Sequence, residues 1–307
     1  FGYDKVLPMN TGAEADETAI KLARRWAYDV KGVEHDMAKI IVCADNFHGR
    51  TISIISMSTD PESKANFGPY TPGFIVIPYN DLNALEVALE DPNVAAFLVE
   101  PIQGEAGVII PQGDYLNKVK SVCDKNDWLF ILDEVQSGMG RTGKLFAHQY
   151  NNLTPDILCL AKGLGNGVPI GACLAKGKAS EMLIYGSHGS TFGGNPLVTK
   201  VALSVLDVFE NDSILDNVNE MSQYFEVQLK SKLLDCKVVK EIRIKGLMIG
   251  IELDEKSIDC SKLVQKALKD KFLINITGNS IRMLPPLIIS KEEVKILIKK
   301  ITKLINS

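Results

Sequence analysis

Two short apolar runs, each closed by a charged residue of opposite sign, constrain this chain more than anything else in its sequence. Trp128-Leu-Phe-Ile-Leu132 stops at Asp133-Glu134-Val135-Gln136, and Ile157-Leu-Cys-Leu-Ala161 stops at Lys162-Gly163-Leu-Gly165-Asn-Gly167. Large apolar side chains in runs this short, bounded by turn formers, suit strands buried on both faces of a parallel sheet. Ligands of such sheets sit beyond the carboxyl ends of the strands. A carboxylate and an amine are therefore delivered to one edge.

That pair suits a pyridine cofactor. The lysine can hold pyridoxal phosphate as a Schiff base, and the carboxylate can keep the pyridine nitrogen protonated so that the ring withdraws electrons. The plainer reading makes Asp133 a cap and Lys162 a solvated loop residue. Against it, three glycines follow Lys162 within five residues, a composition that lets backbone approach a ligand. A dinucleotide fold is the other use for such glycines, but Gly163-Leu-Gly165-Asn-Gly167 lacks the third-glycine spacing, and no GxxxxGK[ST] occurs.

Composition narrows the class. With 307 residues, 46% of them hydrophobic and 23% charged, the chain can build one large core and a smaller domain. A net charge of −4 gives no footprint for nucleic acid. No apolar stretch is long enough for a membrane span, and nothing at the start resembles a signal. The six cysteines (43, 123, 159, 173, 236 and 260) are scattered, several inside apolar runs. They read as reduced core thiols of a cytosol-like compartment, so the expected localisation is cytoplasmic.

Further candidates follow in chain order. Asn10-Thr11-Gly12-Ala13-Glu14 opens a helix with a capping box, and its free N–H groups could cradle a phosphate. Ala38 to Cys43 reads as a strand, with Phe47, His48 and Arg50 just past its end; an aromatic there could stack on a ring and an arginine could grip a carboxylate. His48 reads as a packing residue. Strands are expected over 74–77 and 95–99, helices over 82–89 and 114–125, hence a doubly wound, mostly parallel sheet. Glu100 and Glu105 invite a glycosidase reading, but no cluster of sugar-binding aromatics accompanies them. Another strand is expected over 169–175, and Ser187 to Pro196 is a hydroxyl-rich and glycine-rich loop. Long helices are expected over 197–209 and 214–234, then strands over 246–253, 272–275 and 280–284, a helix over 261–269 and another from Ser290. The chain divides, on this reading, into a large domain, 1–210, and an α+β C-terminal domain, 211–307. Arg282, inside an apolar strand, needs an anion.

The chain resembles the class III aminotransferases, pyridoxal-phosphate enzymes of the type I fold, and within them the ornithine and acetylornithine aminotransferases. The motifs that carry the resemblance are Asn10-Thr-Gly-Ala-Glu-Ala15, Asn46-Phe-His-Gly-Arg-Thr51, Val99-Glu-Pro-Ile-Gln-Gly-Glu105, Leu132-Asp-Glu-Val-Gln136, Gly140-Arg-Thr-Gly143, Ala161-Lys-Gly163 and Gly189-Ser-Thr-Phe-Gly-Gly-Asn-Pro196. Residues up to about Val108 look most like the ornithine enzymes; Gly138 to Gly171 look more like the acetylornithine ones. The resemblance implies Lys162 and Asp133 as catalytic residues. It also implies that Gly12, Ala13, Phe47, Gln136 and Thr191 hold the cofactor, Thr191 reaching the phosphate of a second subunit in a homodimer, and that Arg50, Glu105 and Arg282 hold substrate. Ornithine as donor and 2-oxoglutarate as acceptor are the expected substrates, N2-acetylornithine the alternative donor. No metal is implied. Relatives carry a front segment before the position of Phe1, so the chain is expected to be a fragment or to lack parts of the small domain and pocket. A catalytically silent dimerisation module remains a competing reading.

Overall fold

A computed structural model describes residues 1–233, 235–256 and 258–306. The chain separates into two compact units: Phe1–Pro101 with Pro111–Gly138 and His148–Asp207, and Ile102–Ile110 with Met139–Ala147 and Val208–Ser307, of which Leu234, Ser257 and Ser307 lie outside the described residues.

The first unit is built on a seven-stranded sheet of order β1-β7-β6-β5-β4-β2-β3. Its strands are β1 (Lys5–Met9), β2 (Lys39–Cys43), β3 (Phe74–Ile77), β4 (Val94–Val99), β5 (Leu129–Asp133), β6 (Ile157–Leu160) and β7 (Gly171–Ala175). Every residue of β4, β5, β6 and β7 is buried, as the unbroken apolar runs require. Only β7 runs against its neighbours; β2 to β6 pair in parallel. The expected mostly parallel sheet is therefore present. Helices α1 (Gly12–Trp26), α2 (Ile52–Ser56), α3 (Pro61–Lys64), α4 (Leu82–Ala88) and α5 (Tyr115–Lys125) accompany it, and α6 (Pro196–Asn211) carries the chain onward. The apolar face of α1, through Ala15, Ala19, Ala23 and Trp26, packs in a core with Ile40, Leu98, Ile131 and Cys159.

The second unit holds an antiparallel sheet of order β10-β11-β9-β8, made of β8 (Val239–Lys245), β9 (Met248–Leu253), β10 (Asn275–Thr277) and β11 (Ser280–Met283), with helices α7 (Ile214–Leu233), α8 (Cys260–Lys269) and α9 (Lys291–Ile305). Period-two alternation sends Ile249, Ile251, Ile281 and Met283 into one core with Phe225 and Ile298 of the helices. Each such side chain contributes about 1.5–3 kcal/mol when fully buried. On the other face Met248 packs with Ile102 and Val108.

One expected strand shifts, and two strands are added. The strand expected over 272–275 lies instead at Asn275–Thr277, because a two-residue turn with Gly278 at φ 55° sets the register Thr277↔Ser280. The helix expected over 214–234 is described as far as Leu233, Leu234 lying outside the described residues. Strands β1 and β8 were not expected.

Candidate active site

The parallel register places Asp133 opposite Cys159, three residues before Lys162. Lys162 leaves β6 into a short 3₁₀ turn, Lys162–Leu164, with φ 42°. A left-handed lysine costs free energy, and strain of this kind concentrates at functional sites. The turn is tight: a Cβ on Gly165 would lie 2.0 Å from the Val168 carbonyl oxygen. The Lys162 side chain is exposed and makes no hydrogen bond or ion pair among the described residues.

Asp133 is 4% exposed. Its Oδ1 accepts the Val135 N–H at 2.8 Å and its Oδ2 lies 2.7 Å from His48 Nδ1. Burial alone would lower the His48 pKa, but the hydrogen bond and charge of Asp133, aided by Glu100, carry it above the ordinary histidine value. The raised pKa of His48 favours an imidazolium hydrogen-bonded to the Asp133 carboxylate, and among the described residues its Nε2 has no partner. A third ionisable group, Asp16 of α1, lies within 4.8 Å of both.

The start of α1 comes to the same edge. Thr11 caps it, accepting the Glu14 N–H at 3.2 Å, while the Glu14 carboxylate accepts the N–H groups of Thr11 at 3.0 Å and Asn10 at 2.6 Å. Among the described residues the N–H groups of Gly12 and Ala13 have no partner, and they lie at the positive end of the helix. A Cβ on Gly12 would fall 2.7 Å from Val135 Cγ1, and one on Gly171 would fall 2.3 Å from the Thr11 carbonyl oxygen. Those two glycines let the helix start press against the ends of β5 and β7. Gly49, at φ 126°, does the same for the next loop: its Cβ would lie 2.5 Å from the Ala13 methyl.

Phe47, half-buried, donates its N–H to Glu100 at 3.0 Å. The exposed Arg50 guanidinium sits 5.8 Å over the Phe47 ring. Gln136 is half-buried. Thr191 is exposed and lines a hollow of about 330 Å³ with Asn10, Glu14, His188 and Ser190.

Of the expected site residues, Glu105 and Arg282 belong to the second unit and meet there: Arg282, 8% exposed, pairs with the Glu105 carboxylate. The pairing follows from β11 alternation, since Arg282 stands opposite Gly250 of β9. The 102–110 segment is pinned above them by Arg243, whose Nε and Nη2 donate to the Gly107 carbonyl at 3.2 and 3.0 Å. A Cβ on Gly250 would lie 2.5 Å from that oxygen. The anion that buried Arg282 requires is thus Glu105.

The residues fit pyridoxal phosphate. An amine, a buried carboxylate for a ring nitrogen, open N–H groups for a phosphate and an aromatic side chain stand at one unit's strand ends. Sequence reasoning passed over two members of the cluster. His48 read as packing, although its place five residues past the β2 end, beside Phe47, was a signal. Asp16 lies four residues before Ile20 and three before Ala19, on the helix's apolar stripe.

The aminotransferase class-III family matches residues 1–305. An ornithine aminotransferase of Plasmodium falciparum is 48% identical over 296 residues, 95% of this chain and 71% of that protein. The crystal structure of the ornithine aminotransferase from Toxoplasma gondii superposes with a TM-score of 0.97 at 45% identity, covering 100% of this chain and 73% of the other. That of an acetylornithine aminotransferase from Elizabethkingia anophelis gives 0.86 at 41% identity, covering 99% and 75%.

Proposed function

The chain belongs to the class III aminotransferases, and from that membership we infer a pyridoxal-phosphate-dependent transaminase that moves the terminal (δ) amino group of L-ornithine to 2-oxoglutarate, giving glutamate 5-semialdehyde and glutamate. The observation that carries the chemistry is the pair of adjacent parallel strands, one ending at Asp133 and the other ending two residues before Lys162. The similarity to ornithine aminotransferases along 95% of the chain carries the substrate.

Bound there, pyridoxal phosphate supplies an electron sink that makes the substrate's C–H acidic. The remaining work falls to the chain. Lys162 would hold the cofactor through its amine, and that amine, when free, would move a proton between the substrate carbon and the cofactor's C4′ as base and then acid. Asp133, held in place by its hydrogen bond with His48, would keep the proton on the ring nitrogen. Gly12 and Ala13 offer N–H groups to the phosphate, Phe47 packs against the ring, and Gln136 reaches the ring hydroxyl. Arg50 grips the distal carboxylate of the dicarboxylate substrate. Arg282 takes the α-carboxylate of 2-oxoglutarate or glutamate, and Glu105 covers Arg282 while ornithine reacts, so that the incoming ammonium does not meet a bare cation.

The working form is a homodimer in which Thr191 reaches the phosphate held by the other copy. Support comes from Ile184, Phe192 and Leu197, near it in the chain and exposed at 60%, 69% and 70%, apolar side chains that a second copy would cover. Among the described residues no helix is long and apolar enough to cross a membrane. The six free cysteines, four of them buried, support a reducing, cytoplasmic setting.

N2-acetylornithine is the second donor to consider, because Gly138 to Gly171 resemble enzymes that use it and the Elizabethkingia structure superposes along the chain. Steady-state assays of both amines against 2-oxoglutarate test the choice. Ornithine is expected to give the higher kcat/KM; a higher value for the acetylated amine would overturn it.

A further inference from the structure

Asp16 is fully buried in α1; among the described residues its carboxylate oxygens make no hydrogen bond of ordinary geometry, and the hydrogen-bonding groups beside them are the Asp133 carboxyl and the Cys159 thiol. Its neighbours are charged or ionisable on three sides: Asp133 at the end of β5, His48 after β2, and the thiols of Cys159 on β6 and Cys173 on β7. Burial foremost, then the negative charge of Asp133, pushes the Asp16 carboxyl well above the ordinary aspartate range. Burial likewise keeps the Cys159 thiol protonated, so it adds no charge.

The charge count of this dry cluster is informative. Counting the His48–Asp133 hydrogen-bonded pair as an imidazolium and a carboxylate, the cluster is neutral only if Asp16 keeps its proton. A protonated pyridine nitrogen seated against Asp133 would add a positive charge. The cluster then returns to neutrality only if Asp16 gives its proton up, and low-dielectric surroundings penalise any other state.

We propose that Asp16 is a positioning residue that carries the ring nitrogen's proton: it is the neutral acid when the cofactor is absent and the carboxylate when the cofactor is bound. In the exchange the Asp16 O–H bond breaks, its electron pair stays on the oxygen, and a proton relayed through the Asp133 carboxylate forms the ring N–H bond. No oxidant, metal or solvent proton is needed. The inference rests on the reading in which Asp133 serves the ring nitrogen.

The test compares the protein labelled with ¹³C at the aspartate carboxyl, cofactor-free and loaded with pyridoxal phosphate, by infrared difference spectroscopy. The cofactor-free protein is expected to show a protonated-carboxyl band at neutral pH that is missing from Asp16→Asn and that vanishes on loading. Calorimetry of cofactor binding in two buffers of different ionisation enthalpy supplies the proton count. The Asp16→Asn protein is expected to take up one more proton from solvent than the parent. A band that survives loading, equal proton uptake in both proteins, or a divalent ion retained at the cluster through chelator dialysis would overturn the proposal. Should the cofactor fail to bind the parent at all, the transaminase reading falls, while presence or absence of the band in the cofactor-free protein still decides whether Asp16 is the neutral acid.

Discussion

Replacing Glu105 by alanine should split the two half-reactions. Arg282 is 8% exposed and its partner's side chain 31%. Breaking a fully buried pair costs about 3–5 kcal/mol and an exposed pair about 0–1. With Glu105 a third open to water, a loss of roughly 1–2 kcal/mol of stability is expected between those limits. The kinetic effect is larger. Where Arg282 serves the substrate as proposed, a bare guanidinium repels the incoming ornithine ammonium; like charges a few ångströms apart at an effective dielectric of about 20 interact by roughly 3 kcal/mol, or about a hundredfold in rate. The same charge attracts the α-carboxylate of glutamate, so that amine should react faster than with the parent enzyme. Stopped-flow absorbance in single turnovers, with ornithine or glutamate mixed against the loaded enzyme, reads each half separately. Equal slowing of both would mean that Glu105 only props the 102–110 segment, and the switch would be wrong.

Three other changes test separate parts of the site. Asp133→Asn should leave cofactor affinity largely intact yet lower kcat by a factor of about 10²–10³, since a preorganised charge of this kind is worth about 3 kcal/mol or more; turnover near the parent's would remove Asp133 from the chemistry. Gly12→Ala puts a methyl 2.7 Å from Val135 Cγ1 and must shift the helix start, so equilibrium dialysis should show pyridoxal phosphate bound roughly tenfold more weakly, about 1.4 kcal/mol; unchanged affinity would clear the α1 N–H groups of phosphate binding. For Asp16 the sign follows from its raised folded-state pKa: the stability it contributes is complete below the ordinary aspartate value, about 3.9, and is lost as pH rises toward the folded value. Cofactor-free Asp16→Asn should therefore melt above the parent at pH 8 and match it near pH 4; a constant offset at both pH values would indicate simple repacking.

The central sheet was legible because β4, β5, β6 and β7 are buried on both faces, so that nothing but apolar side chains could stand there. The strands missed are edge strands. β1 contains Pro8, which edge strands tolerate and central ones do not, and its five residues gave too short a pattern to read. β8 alternates Ile242, Arg243 and Ile244 correctly, but a register shift between Val239 and Glu241 breaks the alternation at its start. The Asp133 and Lys162 placements followed from strand ends. Two features had no local signal. Gly107 and Gly250 approach each other only because the 102–110 segment folds onto the second unit's sheet, a contact 143 residues distant in the chain. The Asp133–His48–Asp16 cluster gathers a strand end, a loop and a helix, and although Asp133 and His48 each stand where a site residue could, nothing in the chain order says that Asp16 joins them.

The most direct measurement is the site of covalent attachment. The protein loaded with pyridoxal phosphate is reduced with borohydride, digested and mapped by mass spectrometry. A phosphopyridoxyl group is expected on Lys162, in the peptide that follows Ile157-Leu-Cys-Leu-Ala161, and on no other lysine in stoichiometric amount. Label on a different lysine, or full labelling in the Lys162→Ala protein, would contradict the assignment on which the transaminase reading stands.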